Sequence, residues 1–192
     1  MVPGQRMDVK ALSSALQVSI QPIKEALNRL ELEGVVVIKP RIGTFVRNLT
    51  LEDVNNILDC RLMIEEFAVS RLTDLPEGIL EEMRQAEQYM RNCVNSDPFP
   101  YHDYNEGDIC FHEALVKIAG NAELFRLYRS LHSHYLTEWA YFSFAWQKAM
   151  SNDVDHDLIL HAIASKDEET ARRLVGKHIR SAQRGLKEAF TR

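Results

Sequence analysis

A chain of 192 residues with 45% apolar and 27% charged side chains can build one domain, or a small module joined to a larger one. No apolar run approaches the roughly 20 residues of a membrane helix, and "MVPGQRMDVK" lacks a signal-peptide core, which together point to a cytoplasmic protein with no membrane partner. The net charge of −5 argues against a chain coated in nucleic acid, yet residues 1–48 hold seven basic against four acidic side chains, and the +3 there leaves −8 for the rest.

The basic segment has a clear rhythm. "DVKALSSAL" predicts a short amphipathic helix with Asp8 as N-cap and Leu12 and Leu16 facing inward. "QVS" is a turn. "SIQPIKEALNRLELEG" predicts a second helix, with Ser19 as N-cap, Pro22 tolerated in the first turn, an Ile23–Leu27–Leu30 stripe, and Gly34 as its stop. "VVVIKP" (35–40) and "TFVRN" (44–48) predict two strands around the turn "RIG". Helix, turn, helix and hairpin form the layout of a winged helix-turn-helix, whose second helix enters the DNA major groove.

From Leu51 the apolar period is helical throughout, predicting helices near 51–73, 77–95, 98–119, 122–149, 152–165 and 168–190. Breaks fall at "LPEG", "SDPFP", "AGN", "SND" and "SKD". The fold class is therefore mainly α: a winged helix-turn-helix over 1–48, then an all-α antiparallel bundle over 49–192. Cys60, Cys93 and Cys110 form no CxxC and read as small, buried or half-buried reduced thiols.

Three of these helices place polar groups on apolar faces. Asp108 and His112 sit one turn apart on the Phe111–Leu115–Ile118 face, His156 is in line with Ile159 and Ile163, and His178 with Ala171, Leu174 and Val175. Burying such groups without partners is costly, and three imidazoles with one carboxylate form a sensible ligand set for zinc or a similar divalent ion. The competing reading is a set of hydrogen-bonded core histidines and an i,i+4 Asp–His contact. His161 falls on the opposite side, while His102, His132 and His134 read as surface or supporting residues. Arg61 shares a face with Ile57, Leu58, Ala68 and Leu72, with Glu65 one turn on, and reads either as an ion pair at the core edge or as a fork for an anionic ligand.

"LSSALQVSIQPIKEALNRLELEGVVVIKPRIGTFV", followed by "DICFHEAL", "AGN", "DHDLILHAIASKD" and "ARRLVGKHI", resembles the GntR family of bacterial transcription regulators, in its FadR-type branch with an FCD ligand-binding domain. The resemblance runs from about Pro3 to Phe190. It implies one divalent ion per chain, zinc first with nickel or manganese as alternatives, on Asp108, His112, His156 and His178. It further implies a small carboxylic acid effector, with Arg61 and Asn121 as effector-binding candidates, and a homodimer on palindromic operator DNA. Asn121 has an equally good alternative as a helix-boundary residue.

Two departures stand out. The family carries a further helix ahead of "PGQRM", almost where this chain begins, so either the sequence is trimmed or the protein lacks that helix. The recognition helix of the family starts S-R-x-P, and here Ile20 replaces the arginine and can neither read guanine nor grip phosphate. The DNA-contact candidates are therefore Gln21, Lys24, Arg29 and the wing residue Arg41, the basic ones with solvated surface as their alternative.

These residues point to a metabolite-responsive transcription regulator rather than an enzyme. The alternatives are a metal-dependent hydrolase or lyase using the same His3Asp site, and an adaptor whose metal is structural or absent.

Overall fold

The structure, a computed structural model, describes residues 4–48, 50–131 and 145–191. It divides into two compact units, Met1–Thr50 and Leu51–Arg192.

The first unit runs β1 (Arg6–Met7), α1 (Val9–Leu16), α2 (Ile20–Leu32), β2 (Val36–Lys39) and β3 (Gly43–Val46). Asp8 caps α1, its Oδ1 accepting from the Lys10 and Ala11 amides at 2.9 and 3.0 Å. Ser13 Oγ donates to the Val18 carbonyl at 2.6 Å and closes the turn into α2. Ser19 occupies the N-cap of α2 without a side-chain bond. Past the last turn of α2, Gly34 takes φ +73°, where a β-carbon would also lie 2.9 Å from Arg47 Nη1.

Two expectations are corrected here. The sheet has three strands, not two: β1 pairs antiparallel with β3, giving the order β1-β3-β2 with Arg6 opposite Phe45 and Val37 opposite the same residue on the other side. A two-residue strand carries no periodicity, so the sequence pattern could not register it. Leu16 is 62% exposed and α1 buries none of its residues fully, whereas Ile23 and Leu27 of α2 are buried as expected.

The second unit runs α3 (Leu51–Val69), a 3-10 turn (Leu72–Asp74), α4 (Ile79–Val94), α5 (Tyr101–Lys117), α6 (Ala122–Ser130), α7 (Ala145–Ala164) and α8 (Glu168–Thr191). On α4 the spacing of Ile79, Met83, Ala86 and Met90 lays one stripe against the core, and all four are buried. Gly107 lets α5 approach that stripe, since a β-carbon there would fall 2.6 Å from Met90 Cγ. Helix α3 packs on α5, α6 and α8, α4 on α5 and α7, and α7 on α8. Phe111, Leu115, Ile159, Ile163 and Ile179 are fully buried where these helices meet.

The helix boundaries differ from expectation in instructive ways. The "SND" break does not exist: α7 continues through residues 151–153, so Ala145–Met150 belong to the helix that carries His156. Ser, Asn and Asp lower helix propensity only mildly, so the run does not force a break. The first long helix ends at Val69, and after a turn at 70–71 a 3-10 turn spans Leu72–Asp74. The expected helix 122–149 is seen as α6 to Ser130, and its centre, with His132 and His134, lies outside the described residues. Cys93 is buried and Cys60 half-buried, but Cys110 is exposed. Among the described residues no helix is long and apolar enough to cross a membrane.

Candidate metal centre

The polar residues picked out on separate helices converge. Asp108 and His112 of α5, His156 of α7 and His178 of α8 each bring one ligand atom into a group whose members lie within 4.8 Å of one another. His112 Nε2 stands 3.2 Å from His156 Nε2 and 3.8 Å from Asp108 Oδ1, and His156 Nε2 stands 3.0 Å from that same oxygen. Two ligand atoms about 2.1 Å from one ion, at tetrahedral or octahedral angles, are roughly 3.0–3.4 Å apart. The three imidazoles are buried to at least 96%, and the edge of the Phe111 ring packs on His156 with centroids 4.8 Å apart.

Burial pushes His112 well below the usual imidazole range, and the nearby Arg61 charge adds to this against the pull of Glu65. Burial also lowers His178, to about 4, against the opposing influence of Asp155. Both rings are therefore neutral near pH 7, the protonation state that ligates metals. Asp155 Oδ2 lies 3.8 Å from His178 Nδ1, and Asp155 is lowered to about 2, first by its pairing with His178 and further by Lys177, whose Nζ is 3.0 Å from its Oδ1.

Beside the histidines is a buried ion pair. Arg61 Nε donates to Glu65 Oε1 at 2.6 Å, with both side chains almost fully buried. Tyr128 of α6 donates to the same oxygen at 2.9 Å, and His112 Nδ1 lies 3.0 Å from Glu65 Oε2. Burial alone would raise the Glu65 pKa, but the charge of Arg61 and the bond to His112 hold it below the usual carboxylate range. Arg61 Nη2 is buried and has no hydrogen-bond partner among the described residues. An unsatisfied guanidinium N–H in that position is costly.

The donor set thus fits a single divalent ion: three imidazoles and a carboxylate whose ligand atoms lie within 4.8 Å of one another, the closest pairs at 3.0 and 3.2 Å, in the buried core.

The other candidates fall elsewhere. Asn121 is exposed and caps α6, its Oδ1 accepting from the Glu123 and Leu124 amides at 3.0 Å each. His161 and His102 are exposed, the latter 4.0 Å from Glu106. In the first unit Gln21, Lys24 and Arg29 lie exposed on α2, and Arg41 lies exposed at the hairpin turn. Sequence reasoning missed the bond from Glu65 to His112, the role of Tyr128 and the pairing of Asp155 with His178. Only Asp155 carried a signal, as the acid beside His156 in "VDHD".

Comparison with known proteins agrees with both units. The family pattern described as "FCD domain" matches residues 56–181, and that described as "Bacterial regulatory proteins, gntR family" matches residues 1–46. The chain is 27% identical to the Nta operon transcriptional regulator of Aminobacter aminovorans, over 92% of this chain and 82% of the relative. It is 27% identical to the Uxu operon transcriptional regulator of Escherichia coli, over 97% and 80%. A gluconate operon transcriptional repressor of Bacillus licheniformis is 29% identical, over 67% of this chain but only 52% of the repressor. Among solved structures, a GntR regulator from Rhodococcus sp. RHA1 superposes with a TM-score of 0.82 at 22% identity, covering 97% of this chain and 88% of that one. Escherichia coli McbR/YncC superposes with a TM-score of 0.79 at 20% identity, covering 99% and 90%. The relatives are transcriptional regulators and not enzymes, which sets aside the hydrolase or lyase reading. With the FCD pattern spanning most of the second unit and the GntR pattern most of the first, the chain belongs to the FCD-containing GntR family of bacterial transcriptional regulators.

Proposed function

We propose that this regulator senses a small carboxylic acid at a divalent ion held by Asp108, His112, His156 and His178, and that the acid controls binding of a homodimer to palindromic operator DNA. The observation that carries the reading is the meeting of those four ligand atoms inside the core. A bound divalent ion supplies a Lewis-acidic charge that attracts a carboxylate oxygen. Arg61 supplies the second attraction, because its buried Nη2 lacks a partner among the described residues and a guanidinium suits a carboxylate. Zinc is the first ion to test, with nickel and manganese next.

Operator binding rests on α2 and the wing, where Gln21 and Lys24, then Arg29 and Arg41, are the candidate contacts. The acid alters operator affinity only as far as it binds the DNA-competent and DNA-incompetent states unequally.

The test is elemental analysis of the purified chain beside a His156→Ala/His178→Ala variant, followed by thermal-shift screening of small carboxylates with and without metal. Gluconate heads the screen because a relative is named as a gluconate operon repressor. About one ion per chain, lost in the variant, and an acid that stabilises only the metal-loaded protein are expected. Absence of metal in both proteins after reloading would remove the sensing site from the proposal.

A further inference from the structure

Glu65 is fully buried, and its carboxylate is shared by side chains from three helices. Oε1 receives Arg61 Nε from its own helix at 2.6 Å and Tyr128 Oη from α6 at 2.9 Å. Oε2 faces His112 Nδ1 of α5 at 3.0 Å. An ionised carboxylate accepts and never donates, so the proton of this last bond belongs to His112 Nδ1. A neutral imidazole protonated there has its lone pair on Nε2. That atom stands 3.2 Å from His156 Nε2 and 3.8 Å from Asp108 Oδ1, at the centre of the four-residue group.

We propose that Glu65 is the positioning residue of this site, setting the tautomer and orientation of His112 through Oε2 while holding Arg61 through Oε1. The proposal rests on reading Asp108, His112, His156 and His178 as metal ligands. One carboxylate thereby places both a metal ligand and the anion-seeking arginine. Partners of this kind orient metal-bound histidines and raise their basicity, and their loss weakens metal affinity by roughly 10–100-fold. A purely structural Arg61–Glu65 ion pair has no such consequence for the ring of His112.

Glu65→Gln separates the two readings. A carboxamide has one accepting and one donating end, and Arg61 with Tyr128 both claim the accepting end. The donating end then faces His112 Nδ1, which favours the opposite tautomer, with Nε2 protonated and unable to ligate.

The experiment uses the full chain labelled at the imidazole nitrogens, with long-range proton–nitrogen spectra of the metal-free protein and zinc titration against a competing chelator. The wild-type chain is expected to hold His112 protonated on Nδ1 before any metal is added. Glu65→Gln is expected to shift it towards the Nε2-protonated form and to bind zinc roughly 10–100-fold more weakly. If Glu65→Gln fails to fold because Arg61 is left as an unpaired buried charge, the variant Arg61→Met/Glu65→Met removes that charge together with the acceptor facing His112 Nδ1, and is expected to lose the Nδ1-protonated preference and to weaken zinc binding in the same range. Wild-type His112 protonated on Nε2 overturns the proposal whatever the variants do, as does a variant that keeps both the tautomer and the affinity. A wild-type chain that binds no zinc instead removes the metal reading beneath it, and that failure is recognised because the tautomer spectrum is recorded without metal.

Discussion

His112 and His156 present their Nε2 atoms to each other at 3.2 Å in a core where both rings are fully buried. The rings come from α5 and α7, and His178 stacks on His112 from α8 with centroids 5.0 Å apart. Such an arrangement concentrates nitrogen lone pairs where hydrocarbon would pack more favourably, and a divalent ion is the partner that satisfies several at once.

From this follows a stability linkage. Zinc at about a hundred times its Kd should stabilise the folded chain by about 2.7 kcal/mol, which for a unit of this size raises Tm by roughly 5–10 °C. The double variant His156→Ala/His178→Ala should show no zinc-dependent shift. Differential scanning calorimetry with and without the ion checks both. A shift that survives the substitutions would place the ion elsewhere.

Arg61 separates charge from fork. Arg61→Lys keeps a cation beside Glu65 but loses the planar donor pair that can hold Glu65 with Nε and a ligand with Nη2. Carboxylate binding by the metal-loaded protein should weaken at least about tenfold, the loss of a charge-assisted hydrogen bond. Zinc affinity should stay within about threefold. Isothermal titration with each ligand measures the two separately, and equal losses in both would mean that Arg61 acts through the metal ligands alone.

Much of this was legible in the sequence. Asp108, His112, His156 and His178 could be chosen because each lies in line with apolar residues three or four positions away on its helix, and a buried stripe states where its polar members point. The winged module was legible from its capping residues and its β-branched strands. What stayed hidden was relational. Glu65 was visible as the i+4 partner of Arg61, but nothing in a single chain connects it to His112 forty-seven positions on. Asn121 was open to two roles, and its two short bonds to the α6 amides place it at the helix boundary. The continuous α7 was missed because "SND" reads as punctuation locally, while Ser, Asn and Asp lower helix propensity only mildly.

Gly107 tests the helix packing that positions α5. Gly107→Val adds a branched side chain where the first new carbon already falls 2.6 Å from Met90 Cγ and 3.1 Å from Tyr89 Cδ1. Overpacking of this kind typically destabilises by about 1–3 kcal/mol. Met90→Ala opens the same space, so the double variant should be less destabilised than the sum of the two single ones, by about 0.5 kcal/mol or more. Urea unfolding of the four proteins gives the coupling, and strict additivity would mean that Met90 does not receive the new side chain.

Arg41 combines backbone strain with a candidate DNA contact, and the two can be set against each other. The Ile42 amide donates to the Lys39 carbonyl at 3.0 Å, closing a turn with Pro40 and Arg41 at its centre, and Arg41 takes φ +64°. Left-handed backbone costs a residue with a β-carbon about 1 kcal/mol, which glycine escapes. Arg41→Gly should therefore leave the first unit as stable as before or more so, while removing one cation from the wing. If Arg41 neutralises a phosphate, operator affinity falls for all sequences alike and the slope of log affinity against log salt becomes shallower by about one. Lys24→Ala should do the same from α2 without the gain in stability. Gln21→Ala should instead relax the preference at one base position, by about 1–3 kcal/mol of discrimination, because its amide has a donor and an acceptor for a base edge. Binding curves at several salt concentrations, on an operator and on bulk DNA, read all three variants. An unchanged salt slope for Arg41→Gly would make the wing arginine a solvated surface residue.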